Sequence, residues 1–499
     1  MEACRNNSPT YSRRRPELTP CFKIVNEHLN TFIAEREAEN RPLPEYVLKE
    51  FEAYLKCGIL AYGFIRLKCQ SCHAEQVVAF SCKRRGFCPS CAGKRMAEAA
   101  THLTENVLPL VPYRQFVLSF PIPMRYWLHT NKKFSSKVFG VVAKIIHKYY
   151  TEKAEALNLK QATPGSVSFT QRWGSALNLT PHLHILCIDG VYTRSNGHVR
   201  FRNLSSITDD EVSELVQTIA DQIKKLCIKE GYLSPDGDAV SQPNVDSLFS
   251  DHDLLAMAVE ASIAGKIAFG PNQGHYVRKI GKGFGYEGEI PLAKGKRCYS
   301  VNGFSLHANT AINTHSRDKL YKLIEYMARG PISNDRLELL DNGEVKLALK
   351  TPWANGTTHL LFTRSEFIEK LVALIPPPKT HLVTWRGVFA PNSPYKNHIR
   401  LKPAAKKGFD FDGGDIPLPK SKNYSWSKML AKTFKIDVTK CQSCQGDMRK
   451  LAAVVDALEV QRFLKHIGLD YTPPPRGPPQ FTQLELSYDG WLENEYYPD

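Results

Sequence analysis

Apolar residues recur at three- to four-residue spacing in EYVLKEFEAYLKCGIL, so residues 21 to 60 are expected to be helical. A cysteine-rich segment follows, from Cys57 to Cys91. RQFVLSF, residues 114 to 120, reads as a strand ended by the breaker PIP. Residues 133 to 157, KFSSKVFGVVAKIIHKYYTEKAEAL, repeat with the helical period, and SVSFTQRWG, 166 to 174, reads as a second strand. A third is HLHILCIDGVY. Two helical patches between 207 and 265 suggest an insertion, and GFSLHANTAI, 303 to 312, is strand-like again. A helix then runs through SRDKLYKLIEYMARGP, with Thr314 or Ser316 as its N-cap and Gly330–Pro331 at its end. Strands interleaved with helices predict an α+β fold on an antiparallel sheet.

The third strand raises a chemical question. Side chains alternate along a strand, so His182 and His184 share one face while Leu183, Ile185 and Cys187 take the other. Two imidazoles on one face fit either a shared metal or a polar pair on a half-buried sheet. In the helix that follows, Leu320, Leu323, Ile324 and Met327 form an apolar stripe flanked by Tyr321 and Tyr326. Five residues on a helix separate the two phenols by about 140°, so they cannot serve one site from one face.

The length of 499 residues calls for several domains. The expected layout is an N-terminal helical region over 1–50, a zinc-binding domain over 51–105, and a main domain over 110–335 with a helical insertion at 205–268. A strand-rich extension over 336–405, a linker over 406–425, a small C-terminal module over 426–472 and a disordered tail over 473–499 follow. Lys and Arg number 66 against 50 Asp and Glu, a net charge of +16 that favours a polyanionic partner, nucleic acid first. No apolar run approaches a membrane span and no signal-like segment is seen, so a soluble cytosolic protein is expected (nuclear if eukaryotic).

Thirteen cysteines in such a chain argue for metal ligands over a disulfide framework. Cys69 and Cys72 form one C-x2-C knuckle, and Cys88 and Cys91 form another 15 residues on. Two such pairs predict one closed tetrahedral Zn²⁺ site, with Cys57 and Cys82 as core thiols. A further knuckle, Cys441 and Cys444, has no partner pair nearby, and His466 is the candidate to add a ligand. Lys83, Arg84, Arg85, Lys94 and Arg95 surround Phe87, a pattern that fits phosphate contact with some base stacking, or else a solvated basic face.

Several blocks, in order, carry a resemblance: GFIRLKCQSC, FSCKRRGFCPSCAGKRM, RQFVLSFP, FTQRWGSALNLTPHLHILCIDGVY, GFSLHANTAI with LYKLIEYMARGPISNDRL, TPWANGTTHLLF, HLVTWRGVFAPN and FKIDVTKCQSCQGDMRKLA. From about Cys57 to about residue 470 the chain resembles the HUH-type rolling-circle transposases of the insertion-sequence-ninety-one group. The resemblance implies an HUH endonuclease domain, an antiparallel sheet with helices on one face, preceded by a small zinc-binding domain. It implies that His182 and His184 bind a divalent cation, Mg²⁺ or Mn²⁺, and that Tyr326 attacks a DNA phosphate to leave a 5′-phosphotyrosine. Tyr321 falls where the family does not require tyrosine, which reads as a single-tyrosine member.

A third cation ligand is expected from Gln171, which lies 11 residues before His182 on a strand that an antiparallel turn would bring alongside; His307 is the alternative. The implied partner is single-stranded or hairpin DNA, and the implied setting a bacterial cytoplasm. No G-x-x-x-x-G-K-[ST] phosphate loop is present, so no ATP-driven step is expected. A plasmid replication initiator or relaxase would use the same chemistry. A zinc protein that only binds DNA would leave the His-x-His strand and the tyrosine helix unexplained.

Overall fold

The computed structural model describes residues 14–195, 198–240, 245–281, 295–399 and 440–480. The linker expected over 406–425 lies outside the described residues.

Two helices come first, α1 (Pro20–Ala38) and α2 (Glu45–Leu55). Thr19 accepts a hydrogen bond from the Phe22 N–H, and Pro20 sits in the first turn, where a missing N–H costs nothing. A hairpin of β1 (Phe64–Cys69) and β2 (Glu75–Ala79) leads to α3 (Pro89–His102). Strand β3 (Tyr113–Ser119) passes through α4 (Ile122–Thr130) into the long α5 (Lys132–Glu155). Strands β4 (Gly165–Trp173) and β5 (Leu179–Ile188) precede a small hairpin, β6 (Gly190–Ser195) and β7 (His198–Asn203). Next come α6 (Asp209–Lys229), the short α7 (Ser247–Ser250) and α8 (Asp253–Ala264).

Strands β8 (Arg278–Gly281), β9 (Cys298–Val301) and β10 (Phe304–Ile312) lead to α9 (Arg317–Met327). Then follow β11 (Leu337–Leu339), β12 (Val345–Ala348), β13 (Thr357–Phe362), α10 (Arg364–Leu374), β14 (Val383–Gly387) and the short α11 (Lys396–Ile399). The C-terminal part holds β15 (Met448–Val454) and α12 (Ala457–His466).

Six strands in the order β14-β4-β5-β3-β10-β9 form the central sheet, every neighbour antiparallel. Strand alternation splits its residues cleanly. Phe116, Leu118, Leu183, Ile185 and Leu306 face one side, where they pack with Val138, Val142 and Ile146 of α5 and Val212, Ile219 and Ile223 of α6. Val167, Phe169, Leu186 and Ile188 face the other, under Leu320, Ile324 and Met327 of α9. The long helices thus cover one face, as expected, and the tyrosine helix covers part of the reverse face. The patch expected as an insertion supplies α6, whose apolar stripe closes the core over α5.

A second sheet, β11-β12-β13-β8, belongs to the core that includes α1, α2, α8 and α10. The third sheet has the order β15-β1-β2, so a strand near the C-terminus completes the N-terminal hairpin. Leu60 and Phe64 pack there with Val454, Val460 and Leu464. Residues 473–480, expected as the start of a disordered tail, lie along α1 and α2. Asn26 and Asn30 donate to the Pro475 and Gly477 carbonyls at 2.7 and 2.8 Å, and Arg476 pairs with Glu52.

Candidate functional site

Register across the sheet places Gln171 opposite His182 and Phe169 opposite His184 on the β4–β5 pair. The short turn between the strands, residues 174–178, sets that register, as the 11-residue spacing anticipates. On the other side of β5, Val117 lies opposite His184, and His307 lies opposite Val117. His307 is therefore on the same face but two strands away, roughly 10 Å in the sheet plane.

The two imidazoles stack edge-on with centroids 5.0 Å apart. Both ring nitrogens of His182 face carbonyl oxygens: Nδ1 lies 2.8 Å from the Thr180 carbonyl and Nε2 lies 3.0 Å from Gln171 Oε1. A neutral imidazole has one N–H to give. Burial lowers the pKa of His182, so the ring is neutral. The Gln171 amide cannot turn over to supply a donor, because its Nε2 already donates to the Tyr326 and Met327 carbonyls at 3.0 and 3.1 Å. With one N–H for two facing carbonyl oxygens, one of the two contacts sets an acceptor against an acceptor.

His184 adds a further unsatisfied atom. Its Nδ1 lies 2.9 Å from the Gln115 amide, and its buried Nε2 has no hydrogen-bond partner among the described residues. Burial, the neighbouring His182 and Arg329 push its pKa down to about 3, so it too is neutral. The His182 ring, the buried His184 Nε2 and the Gln171 amide oxygen lie on one sheet face and are donor atoms suited to a divalent cation, with Thr180 and Gln115 beside the rings.

Tyr326 completes the cluster. Its ring meets His184 edge to face with centroids 5.7 Å apart. The residue is 40% exposed and so reaches the surface. The Arg329 guanidinium and the Lys350 ammonium sit over the ring at 4.6 and 4.7 Å, two cations beside the phenol. The Gln171 bonds to the last carbonyls of α9 fix this helix end to the histidine strand. Ser316 precedes α9 as expected but makes no side-chain capping bond. Tyr321 points away: it packs partly buried against the cluster holding Leu103 and Val107 and hydrogen-bonds Thr101 and Glu325.

The cysteines regroup against expectation. Cys57, Cys82, Cys88 and Cys91 form one cluster, and Cys69, Cys72, Cys441 and Cys444 form another. The two N-terminal knuckles do not share a site, because β1 and β2 carry Cys69 and Cys72 at a hairpin tip while Cys88 and Cys91 open α3 inside the core. Cys57 and Cys82 sit beside that second knuckle, so they are ligand partners and not spare core thiols. In the first cluster, Sγ of Cys91 lies 3.7 Å from Cys57 and 3.3 Å from Cys82. In the second, Cys69–Cys444 is 3.4 Å and Cys72–Cys441 is 3.5 Å. A tetrahedron with Zn–S arms of about 2.3 Å has edges of roughly 3.8 Å, close to these separations. His466 does not join the second cluster; Cys69 and Cys72 take the place proposed for it.

Of the expected basic contacts, Lys83, Arg84 and Arg85 are exposed, and Arg85 donates to the Thr380 carbonyl at 2.9 Å. Lys94 pairs with Glu98 at 3.5 Å, and Arg95 braces the loop by donating to the Arg84 carbonyl. Phe87 is fully buried between Phe51 and Tyr54, centroids 5.0 and 4.9 Å away, so it packs in the core and offers no face to a base.

Residues 165–397, which include Gln171, His182, His184 and Tyr326, match a family model described as putative transposase. The chain is a transposase. Residues 24–120 match the transposase zinc-binding domain, and the two matches together place it among the insertion-sequence-ninety-one type. That second match and the cysteine clusters support structural zinc. Cys441 and Cys444 lie outside both matched regions. Comparison with curated proteins and with solved structures found no match. Among the described residues no helix is long and apolar enough to cross a membrane.

Proposed function

We propose that this transposase nicks and rejoins single-stranded or hairpin DNA at its element ends through a covalent 5′-phosphotyrosine at Tyr326, working in the bacterial cytoplasm by a rolling-circle route. The observation that carries the reading is the grouping on one sheet face of His182 with Gln171 Oε1 at 3.0 Å and of His184, whose ring meets the partly exposed Tyr326 ring. A Mg²⁺ or Mn²⁺ ion held by those three atoms would polarise the scissile phosphate. Tyr326 Oη gives up its proton to water as it bonds to phosphorus; the P–O3′ bond breaks, and the 3′ oxygen takes up a proton from water as a free hydroxyl. Arg329 and Lys350 offset charge around the phenol and the phosphate. Gln171 has two duties: its oxygen faces the cation position and its nitrogen fixes the helix that bears the nucleophile.

The phosphodiester energy stays in the protein–DNA link, so rejoining to a 3′-hydroxyl runs the same step in reverse. The test uses single-stranded DNA carrying the element's end sequence, with Mn²⁺. Wild type and Tyr321→Phe should each give a DNA-linked band on a denaturing gel, and Tyr326→Phe none. An adduct that persists in Tyr326→Phe and vanishes in Tyr321→Phe would reverse the assignment.

A further inference from the structure

The sheet has a second face, and its outer end is unusually cationic. On β4 and β14, Thr170, Thr384 and Arg386 alternate with the residues of the histidine face and so point the opposite way. There they meet α5, and two adjoining cavities share Arg386 as a common wall. Lys132, Lys144 and Lys148 line them from α5 and Lys379 from the loop before β14; among the described residues, no acidic side chain lines either cavity.

Arg172 lines the deeper one. It is only 6% exposed, and its Nη1 is buried with no hydrogen-bond partner among the described residues. The Arg386 Nε is also buried and, among the described residues, unpartnered. A buried guanidinium without a counter-charge is costly, and an anion entering the cavity would offset that cost. Lys148 pairs with Glu152 at 3.1 Å, but that pair is well exposed, worth little, and readily exchanged for a phosphate.

The run has length as well as charge. From Lys132 to Thr151, residues of α5 line the cavities over about 28 Å at 1.5 Å per residue. At one end, Arg85 of the exposed basic loop donates to the Thr380 carbonyl, so Lys83–Arg85 and Lys379 adjoin. We propose that this groove between α5 and β14, on the face opposite His182 and His184, is a second track that holds the backbone of single-stranded DNA. A flexible strand can press one phosphate down to Arg172; a stiff duplex carries its phosphates on a convex surface and cannot. The inference rests on DNA as the partner of a transposase, not on the tyrosine chemistry.

The experiment uses the full chain and a fluorescent oligothymidylate, with anisotropy read over a salt series. The variant Lys144→Glu/Lys148→Glu/Lys379→Glu changes three exposed residues, and its circular dichroism and melting temperature should equal those of wild type. It should bind at least about tenfold more weakly at moderate salt and show a salt slope smaller by about 2, at roughly 0.7 for each phosphate no longer neutralised. Equal affinity and equal slope in variant and wild type would overturn the groove. So would a loss of affinity as large for a duplex of the same length. The wild-type adduct at Tyr326 is scored in parallel: binding loss with no wild-type adduct upholds the groove and sinks the nuclease reading, and an adduct with no binding loss does the reverse.

Discussion

Cys57 and Cys91 stand 34 positions apart, and Cys69 and Cys444 stand 375 apart. The first cluster is set among Phe51, Tyr54 and Phe87 in the main N-terminal core, with Cys88 and Cys91 almost fully buried. The second sits at a hairpin tip with Cys72 and Cys444 exposed. Four sulfurs thus do two different jobs. In the core, the cluster replaces hydrophobic contacts that a segment with Lys83, Arg84 and Arg85 cannot make. At the tip, it closes a very long loop; by loop-entropy scaling, a tenfold longer closure restricts the unfolded chain by about 2 kcal/mol more. The comparison separates a cluster that a fold is built around from one that fastens two finished pieces.

The largest effect is expected in the core. Cys88→Ser should lose one zinc equivalent and either fail to fold or melt at least about 10 °C lower, since structural zinc contributes on the order of 10 kcal/mol in small modules. Metal analysis with calorimetry checks this, and a variant that keeps the wild-type melting profile would erase the distinction from one side. A smaller and more local loss is expected at the tip. Cys441→Ser should also lose one zinc equivalent, yet leave the main transition within about 2–3 kcal/mol while protease cutting rises between residues 440 and 480. If it unfolds the chain as Cys88→Ser does, the two clusters are energetically one.

The smallest effect concerns a support of the core cluster. Glu50 is buried and accepts from the Gly86 N–H at 2.7 Å, which holds the loop leading into Cys88. Burial raises its pKa above the ordinary value of 4.5, against the opposing Gly86 hydrogen bond and the nearby arginines. A raised folded pKa means its contribution is fully present below the unfolded pKa and fades as pH rises through the folded one. Glu50→Gln keeps the acceptor oxygen. It should change stability by under about 1 kcal/mol at neutral pH and flatten the decline seen by denaturant titration as pH rises from about 4.5.

The half of the molecule that holds His182, His184 and Tyr326 is readable because its signals are local. Alternation alone puts His182 and His184 on one face, and a short turn between neighbouring strands brings Gln171 across from them. The helix carrying Tyr326 announces itself by its stripe and its Gly330–Pro331 end. The cysteine pairing is hidden for a physical reason: spacing rules count along the chain, whereas β15 reaches β1 only through tertiary pairing. One signal is available, since Cys57, Cys82, Cys441 and Cys444 are the number needed to complete two sites around two knuckles. Phe87 misleads because a charged run reads as uniformly solvated. Lys83, Arg84 and Arg85 do face out, but Gly86, Phe87 and Cys88 turn inward to the core.

The pairing of β1 with β15 also gives the molecule a clock. A ribosome adds about 5–20 residues per second, so the 375 positions between Cys69 and Cys444 take roughly 20 to 75 seconds to emerge. For that time the nascent chain shows two adjacent thiols and a bare strand edge, a form open to chaperones, oxidation and mispairing with a neighbour. A prematurely terminated chain never leaves that state. Only a transcript read through β15 yields a protein whose first sheet is closed, which ties the soundness of the enzyme to the intactness of the message that encodes it.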